Sequence, residues 1–429
     1  MFLSQLFRTY NKSILIIFLI IISNLFSYSQ NSYFSPYSRY GIGDFADNNF
    51  GQAKAMGKSS IALRSKEHLN INNPASYSAI DTLNFIFEVG YFNKYTNYST
   101  NSQNIKRNDA NLSYITLGFP VTKWWGSSIG LLPYSILGYN ISSKVATQEL
   151  DTAIYNYIGS GGINQFYFGN SFKLFKNFSI GANISYLFGS LAYEKNADFY
   201  KEKNAFEYHS NDSILINDLF FDFGFQYSKK LKDEQVITIG GKYNNKDNIN
   251  ASRSQLIQTV FRSSPLVIST LIDTADEKGT LEFPLSFGFG ISYTKNNKLI
   301  LIADYVQQNW SDSKFFGVSD SLLDSRLISA GLEYIPKFAS LNNYFKRVRY
   351  RLGGYYSNSY INVNNNQIND FGITFGFGLP LRKTKTSFNL SFELGQRGTT
   401  TNNLIKEKYV NIGINLTLHD FWFFKRKIE

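Results

Sequence analysis

Cysteine is absent from the 429 residues, and histidine (3), methionine (2), tryptophan (4) and proline (8) are scarce. Without cysteine there is no disulfide, no thiolate nucleophile or metal ligand, and no residue to carry an N-terminal lipid. The three histidines, His68, His209 and His419, fall in three separate predicted places. That pattern supports neither a Ser–His pair nor a metal centre, so no enzyme, metal or cofactor is expected. Acidic residues are outnumbered, 32 against 43 Lys and Arg, giving a net charge of +11. The basic residues are scattered over short turns and form no single stripe, which argues against a nucleic-acid surface. Beyond the first thirty residues no apolar run approaches the ~20 residues of a spanning helix.

What the chain has in quantity is aromatic and alternating. It holds 30 Tyr and 39 Phe. Near the C-terminus, Val410, Ile412, Ile414, Leu416 and Leu418 alternate with Asn411, Gly413, Asn415 and Thr417. An extended strand sends successive side chains to opposite faces, so this pattern gives one greasy face and one wet one. Segments of the same period recur from 83–95 to 405–418, about fourteen in all. Their connections sort by parity: those after odd-numbered segments are long, the longest over 246–278, and those after even-numbered segments are short. A soluble sandwich has no reason to sort its loops this way. The expected fold is all-β: a transmembrane antiparallel barrel of about 14 strands, with short periplasmic turns and larger outside connections.

The ends fit that reading. Arg8 and Lys12 precede the apolar run 14–22, and small residues follow before Gln30, the layout of a secretory signal over 1–29. Residues 30–81 lack alternation and are expected to form a hatch or plug inside a barrel of residues 82–424, with 425–429 as a basic periplasmic tail. Both termini would be periplasmic, in the cell outer membrane. Phe421, Trp422, Phe423 and Phe424 are expected at the membrane–water interface, where they also offer a terminal signal to the barrel-assembly machinery during biogenesis. The turn lysines, such as Lys123, Lys176 and Lys298, would meet anionic head groups of outer-membrane lipids.

Inward parity assigns Glu88, Asp222, Asp304, Glu333, Arg349, Arg351 and Glu393 to the lumen, since charges facing lipid cost several kcal/mol near the midplane. Opposite signs in one lumen imply ion pairs between the wall and something inside it. Arg39 and Asp44 of the 30–81 segment are expected to meet such wall charges. Two walls, 282–292 and 372–378, are nearly bare because Gly288, Gly290, Gly372, Gly376 and Gly378 face inward. They leave room for a plug or ligand, or only ease strand curvature.

Several stretches carry a family resemblance: "YSRYGIGD" at 37–44, Asn73-Pro74-Ala75 in "NNPASY", "GSGGINQFYFG" at 159–169, "FPLSFGFGISY" at 283–293 and the C-terminal block from 372. The chain resembles the FadL-type long-chain fatty acid transporters in their Bacteroidetes form, with PorV-like relatives. The resemblance implies a 14-stranded barrel with an N-terminal hatch, and hydrophobic cargo leaving sideways at a kinked third strand. Pro133 in the third segment, flanked by Leu132 and Tyr134, is the candidate for that lateral gate, because proline donates no N–H to the ladder. The segment 254–272 offers an apolar outside surface. Uptake of a fatty-acid-like ligand is the first functional reading. The alternative is a non-transporting barrel that binds a partner in an outer-membrane secretion (type IX) or barrel-assembly complex.

Overall fold

The computed structural model describes residues 33–147, 151–199, 206–232, 234–261, 264–319, 321–338, 340, 342–381 and 384–421. The signal segment, the turn residues Arg382 and Lys383, Trp422, Phe423, Phe424 and the basic tail lie outside the described residues. Phe421 closes the last strand.

Fourteen strands follow one another round a cylinder. They are β1 (Asn84–Ser99), β2 (Asn104–Pro120), β3 (Trp125–Thr147), β4 (Asp151–Lys173), β5 (Phe178–Phe199) and β6 (Phe206–Lys230). Then come β7 (Gln235–Asn244, continued by Asp247–Phe261), β8 (Ser264–Phe283, continued by Ser286–Lys295), β9 (Leu299–Gln308) and β10 (Ser325–Tyr334). The circuit ends with β11 (Arg349–Val363), β12 (Asn366–Pro380), β13 (Ser387–Arg397) and β14 (Lys406–Phe421). Neighbours pair antiparallel, and β14 closes on β1 from Lys406↔Ser99 to Phe421↔Asn84. Closing the ends of the sheet on each other is the condition for crossing hydrocarbon with strands.

The alternation sorts as the period requires. On β14, Val410, Ile414 and Leu418 are exposed, while Asn415 and Thr417 are buried. Phe166, Phe168, Ile184, Phe223, Ile291, Leu352 and Ile373 are likewise exposed on the outer skin. So wide an apolar skin fits a hydrocarbon solvent and would be an association hazard in water.

The two rims differ, but not as loop lengths suggested. The connections after odd-numbered strands contain much more strand than expected: β3 runs to Thr147 and β4 starts at Asp151, and β7 and β8 continue through most of 246–278. The strands β3–β8 therefore rise as a tall wall on one rim, whereas β9 and β10 are short. In water both faces of such an extension are wet, so its alternation is too weak to read as strand.

Residues 33–81 lie against inward faces all round the wall. They contain a 3₁₀ turn (Pro36–Arg39), a two-residue strand (Asp44–Phe45), a helical turn (Gly51–Lys54) and a second 3₁₀ turn (Pro74–Ala79). Proline opens both 3₁₀ turns, where its missing N–H costs nothing. The bare walls receive this segment: a Cβ on Gly290 would sit 2.9 Å from the Ile61 Cβ, and one on Gly376 2.6 Å from the Ala55 Cβ.

Candidate functional site

Charges converge in the lumen, and most of them are spoken for. Lys58 Nζ donates to Glu393 Oε1 at 2.8 Å, and Glu393 also accepts from Tyr355 (2.5 Å) and Asn411 (3.1 Å). Arg397 grips Asp44 with two bonds of 2.8 Å. Arg351 donates to Glu333 at 2.6 Å and to Asn389 at 2.7 Å, and Gln52 adds a 3.1 Å bond to Glu333. Asp304 accepts the backbone N–H groups of Ser60 (2.5 Å) and Ile61 (2.8 Å). Arg349 pairs with Glu67 and reaches His68 Nε2 at 3.3 Å. Asp222 bonds Asn244 of the wall rather than the inner segment. Charge-assisted bonds inside a low-dielectric lumen are the strong kind, and they tie the inner segment to β9–β11 and β13.

Neutral ties complete the attachment. Asn73 Nδ2 donates to the carbonyls of Ile61 (2.8 Å), Phe225 (3.0 Å) and Gly241 (3.3 Å), while its Oδ1 caps the second 3₁₀ turn at Ala75 N–H. Pro74 opens that turn beside Gly181, and the Ala75 carbonyl accepts Ser171 Oγ at 2.8 Å. Arg39, expected to meet a wall charge, instead is exposed and lies over the rings of Tyr40 and Tyr157 at 5.2 and 5.4 Å. It sits at the end of its 3₁₀ turn, beside aromatic rather than acidic neighbours. At the short-turn rim Asp81 takes Lys66 at 2.7 Å and Lys385 at 3.4 Å. Partial burial pushes its carboxyl up, but the two lysines outweigh that and hold it below the usual value.

Two histidines thought to be apart come together here. His68 Nδ1 lies 3.2 Å from Glu88 Oε1, and His419 Nε2 lies 2.7 Å from the Glu67 carbonyl. Thr417 Oγ1 is 3.4 Å from His68 Nδ1, so hydroxyl, imidazole and carboxylate are adjacent. All three are buried and none lines the cavity described next; their bonds join the inner segment to β1 and β14. The third, His209, stands on β6 with Glu207, across from Asp198 of β5, their ligand atoms within 4.8 Å of one another. Such a trio has the chemistry to hold a divalent cation, though half-exposed acidic groups often cluster without one.

The wall itself parts at one seam. β2 and β3 pair only from Pro120↔Gly126 to Ile115↔Leu131. Beyond Leu131, β3 bulges between Pro133 and Ser135, and its freed edge is taken by the inner segment, with Asp44↔Ile136 and Phe45↔Ser135. Ser35 N–H donates to the Gly138 carbonyl at 2.8 Å, and on the other side Phe34 N–H donates to Asp109 at 3.1 Å. Residues 34–46 thus bridge the seam. Of the three gate candidates, Pro133 and Tyr134 face a luminal cavity of about 450 Å³. Leu132 is buried with Phe50, Leu69 and Ile71.

That cavity is walled by Lys54, Lys58, Lys94 and Lys242 together with Asp47, Asp222, Asp304 and Glu393. Toward the tall rim it ends at an aromatic core. Trp310 is fully buried with its ring 5.3 Å from Phe45, 4.9 Å from Tyr360 and 6.2 Å from Phe283. Ile42, Leu187, Ile216 and Leu281 pack into the same cluster. Sequence reasoning missed Lys58, Arg397, Gln52 and Trp310. For Arg397 the signal was its inward parity on β13; Trp310 in a connecting segment gave none.

A family model described as BamG matches residues 11–429. No curated relative matches the chain. Among solved structures, it is similar to the Pseudomonas putida toluene transporter TodX, at 16% identity and a TM-score of 0.57 over 88% of this chain and 98% of that one. The Ralstonia pickettii toluene transporter TbuX gives 13% and 0.54, over 87% and 99%. A Pseudomonas aeruginosa FadL homologue gives 12% and 0.52, over 89% and 99%. These identities speak to the fold: a FadL-type barrel.

Proposed function

Because this chain belongs to the BamG family, we propose that it is a non-transporting accessory barrel of the outer membrane's barrel-assembly machinery. The family's name supports the partner. The state of the lumen supports the absence of transport, and one observation carries it: the inner segment is stapled to the wall by buried ion pairs, Lys58–Glu393, Asp44–Arg397 and Glu67–Arg349. Moving a hatch so held would expose several buried charges at once, each loss costing about 3–5 kcal/mol. In this reading residues 33–81 are a fixed plug, residues 1–29 a removed signal, the tall rim faces outside and the basic short turns face periplasmic phospholipid.

The test is native purification in mild detergent, with depletion in parallel. Stoichiometric recovery with the central assembly barrel, and a fall in other barrels reaching the membrane on depletion, are expected. Recovery of the chain alone, with other barrels inserting at the normal rate, would sink the reading.

Uptake of a fatty-acid-like ligand is the second reading, favoured by the seam at Pro133 and the cavity that reaches it. It requires Leu132, Pro133 and Tyr134 to gate the wall. Pro133→Val restores a ladder donor and, for a working gate, slows uptake of a labelled hydrophobic compound. On the accessory reading the substitution is silent.

A further inference from the structure

The apolar segment 254–272 is absorbed by neither reading, and its geometry is unusual. The outer part of β8, Ser264–Phe283, pairs with β7 along one edge. On its other edge β9 has already ended at Gln308, and the one pairing described is Leu281↔Phe315. Residues 264–274 of β8 are set against only 255–261 of β7, so β8 carries extra residues and the ladder slips repeatedly. Leu266, Ile268 and Leu271 fall at those slips and take no pairing partner on β7. They are 69, 46 and 58% exposed, with Val267 and Ile272 exposed beside them. A bulge throws its extra residue out of the ladder and re-aims the side chain. Here the slips leave three exposed apolar side chains within six residues of one strand, an apolar ridge in the chain.

We propose that this ridge docks a partner protein at the cell surface, one presenting an apolar groove flanked by basic residues. The proposal rests on the accessory-barrel reading for which complex the partner belongs to. Lipid is not the occupant: counting up β8 from Lys295, a bilayer takes about 9–11 residues of strand, and Ile272 lies beyond twice that. An added strand is not the occupant either, because the repeated bulges break the regular row of N–H and C=O groups that strand addition needs. A second copy is disfavoured by charge. Asp273, Asp276 and Glu277 follow the ridge, all exposed, and a twofold contact would set this acidic run against itself. The same run favours a basic rim on a different protein.

The experiment places a photoreactive residue at Leu271 in the full chain in living cells, with Val318, also exposed on the outer side, as the control position. One crosslinked protein at 271, absent at 318 and present in the natively purified complex, is expected. The variant Leu266→Glu/Ile268→Glu/Leu271→Glu should still give a folded, heat-modifiable barrel, while recovery of that same protein falls at least about tenfold, as for loss of an interface's apolar anchors. Asp273→Lys should weaken recovery as well. The inference is overturned if position 271 crosslinks only to lipid, to the chain itself or to nothing, or if the triple variant keeps the full set of partners. An intact complex with an empty ridge removes this inference alone. A chain that purifies without the assembly machinery removes the accessory reading, and the crosslink at 271 then decides the ridge by itself.

Discussion

Replacing Lys58 by Met removes the cation that holds the centre of the inner segment. The ammonium sits 2.8 Å from Glu393 Oε1 and 3.9 Å from the centre of the Tyr355 ring, with 17% and 7% of the two ion-paired side chains exposed. Met keeps the length of the stem but leaves Glu393 to Tyr355 and Asn411. Removing one partner of a buried pair costs about 3–5 kcal/mol; the lower end applies, because both groups border a cavity. At about 1.4 kcal/mol per factor of ten, a loss of ~3 kcal/mol raises the opening equilibrium by about 10². The assay is amide hydrogen exchange in detergent, read at residues 53–61. Their exchange should quicken by about 10², while β12–β14, whose ladders are untouched, change little. Glu393→Gln in the same chain removes the stranded charge and should recover most of the difference. Unchanged exchange at 53–61 in Lys58→Met would refute the claim that this ion pair fixes the inner segment.

Other perturbations follow from the same contacts. Asn73→Ala loses three donated bonds and a turn cap, and should destabilise the second half of the segment by about 2–3 kcal/mol, seen as protease cleavage between 62 and 81. A Cβ on Gly353 would run into the Gly57 N–H and Met56 backbone; Gly353→Val should give an inserted barrel whose inner segment is protease-sensitive. Asp81 is lowered by its lysines, so its contribution is complete above about pH 4, the unfolded carboxylate value, and is lost as pH falls through its folded pKa. Asp81→Asn should abolish that acid-dependent part, at less than about 1 kcal/mol because the pair is largely solvated, measured as the pH dependence of exchange at 80–83.

Much of the architecture was legible because a barrel wall writes itself in period two. The face of β14 from Val410 to Leu418 could be read directly, and so could the inward parity of Glu88, Asp304, Glu333 and Glu393. The inward glycines at 288, 290 and 376 read either as room for a plug or ligand or as eased curvature, and the structure puts the inner segment against them. What the pattern could not carry was partnership. Lys58 and Glu393, or Asp44 and Arg397, are more than three hundred residues apart, and no local periodicity links them. Nor could it separate a loop from a strand wet on both faces, so the extensions of β3 to β8 read as connections. Arg39 shows the converse failure: its charge suggested a carboxylate partner, but its turn delivers it to two tyrosine rings.

The seam between β2 and β3 carries an implication for how the molecule is made. The strip that fills it, 34–46, is bonded to Asp109 on one side and Ser135–Gly138 on the other. It is also capped by the Trp310 cluster, and continues into a segment pinned to seven or more strands. A cork wider than the neck must be inside before the glass is sealed. Residues 34–46 are therefore expected to settle while β14 and β1 are still apart, with the joining of those two ends making the arrangement permanent.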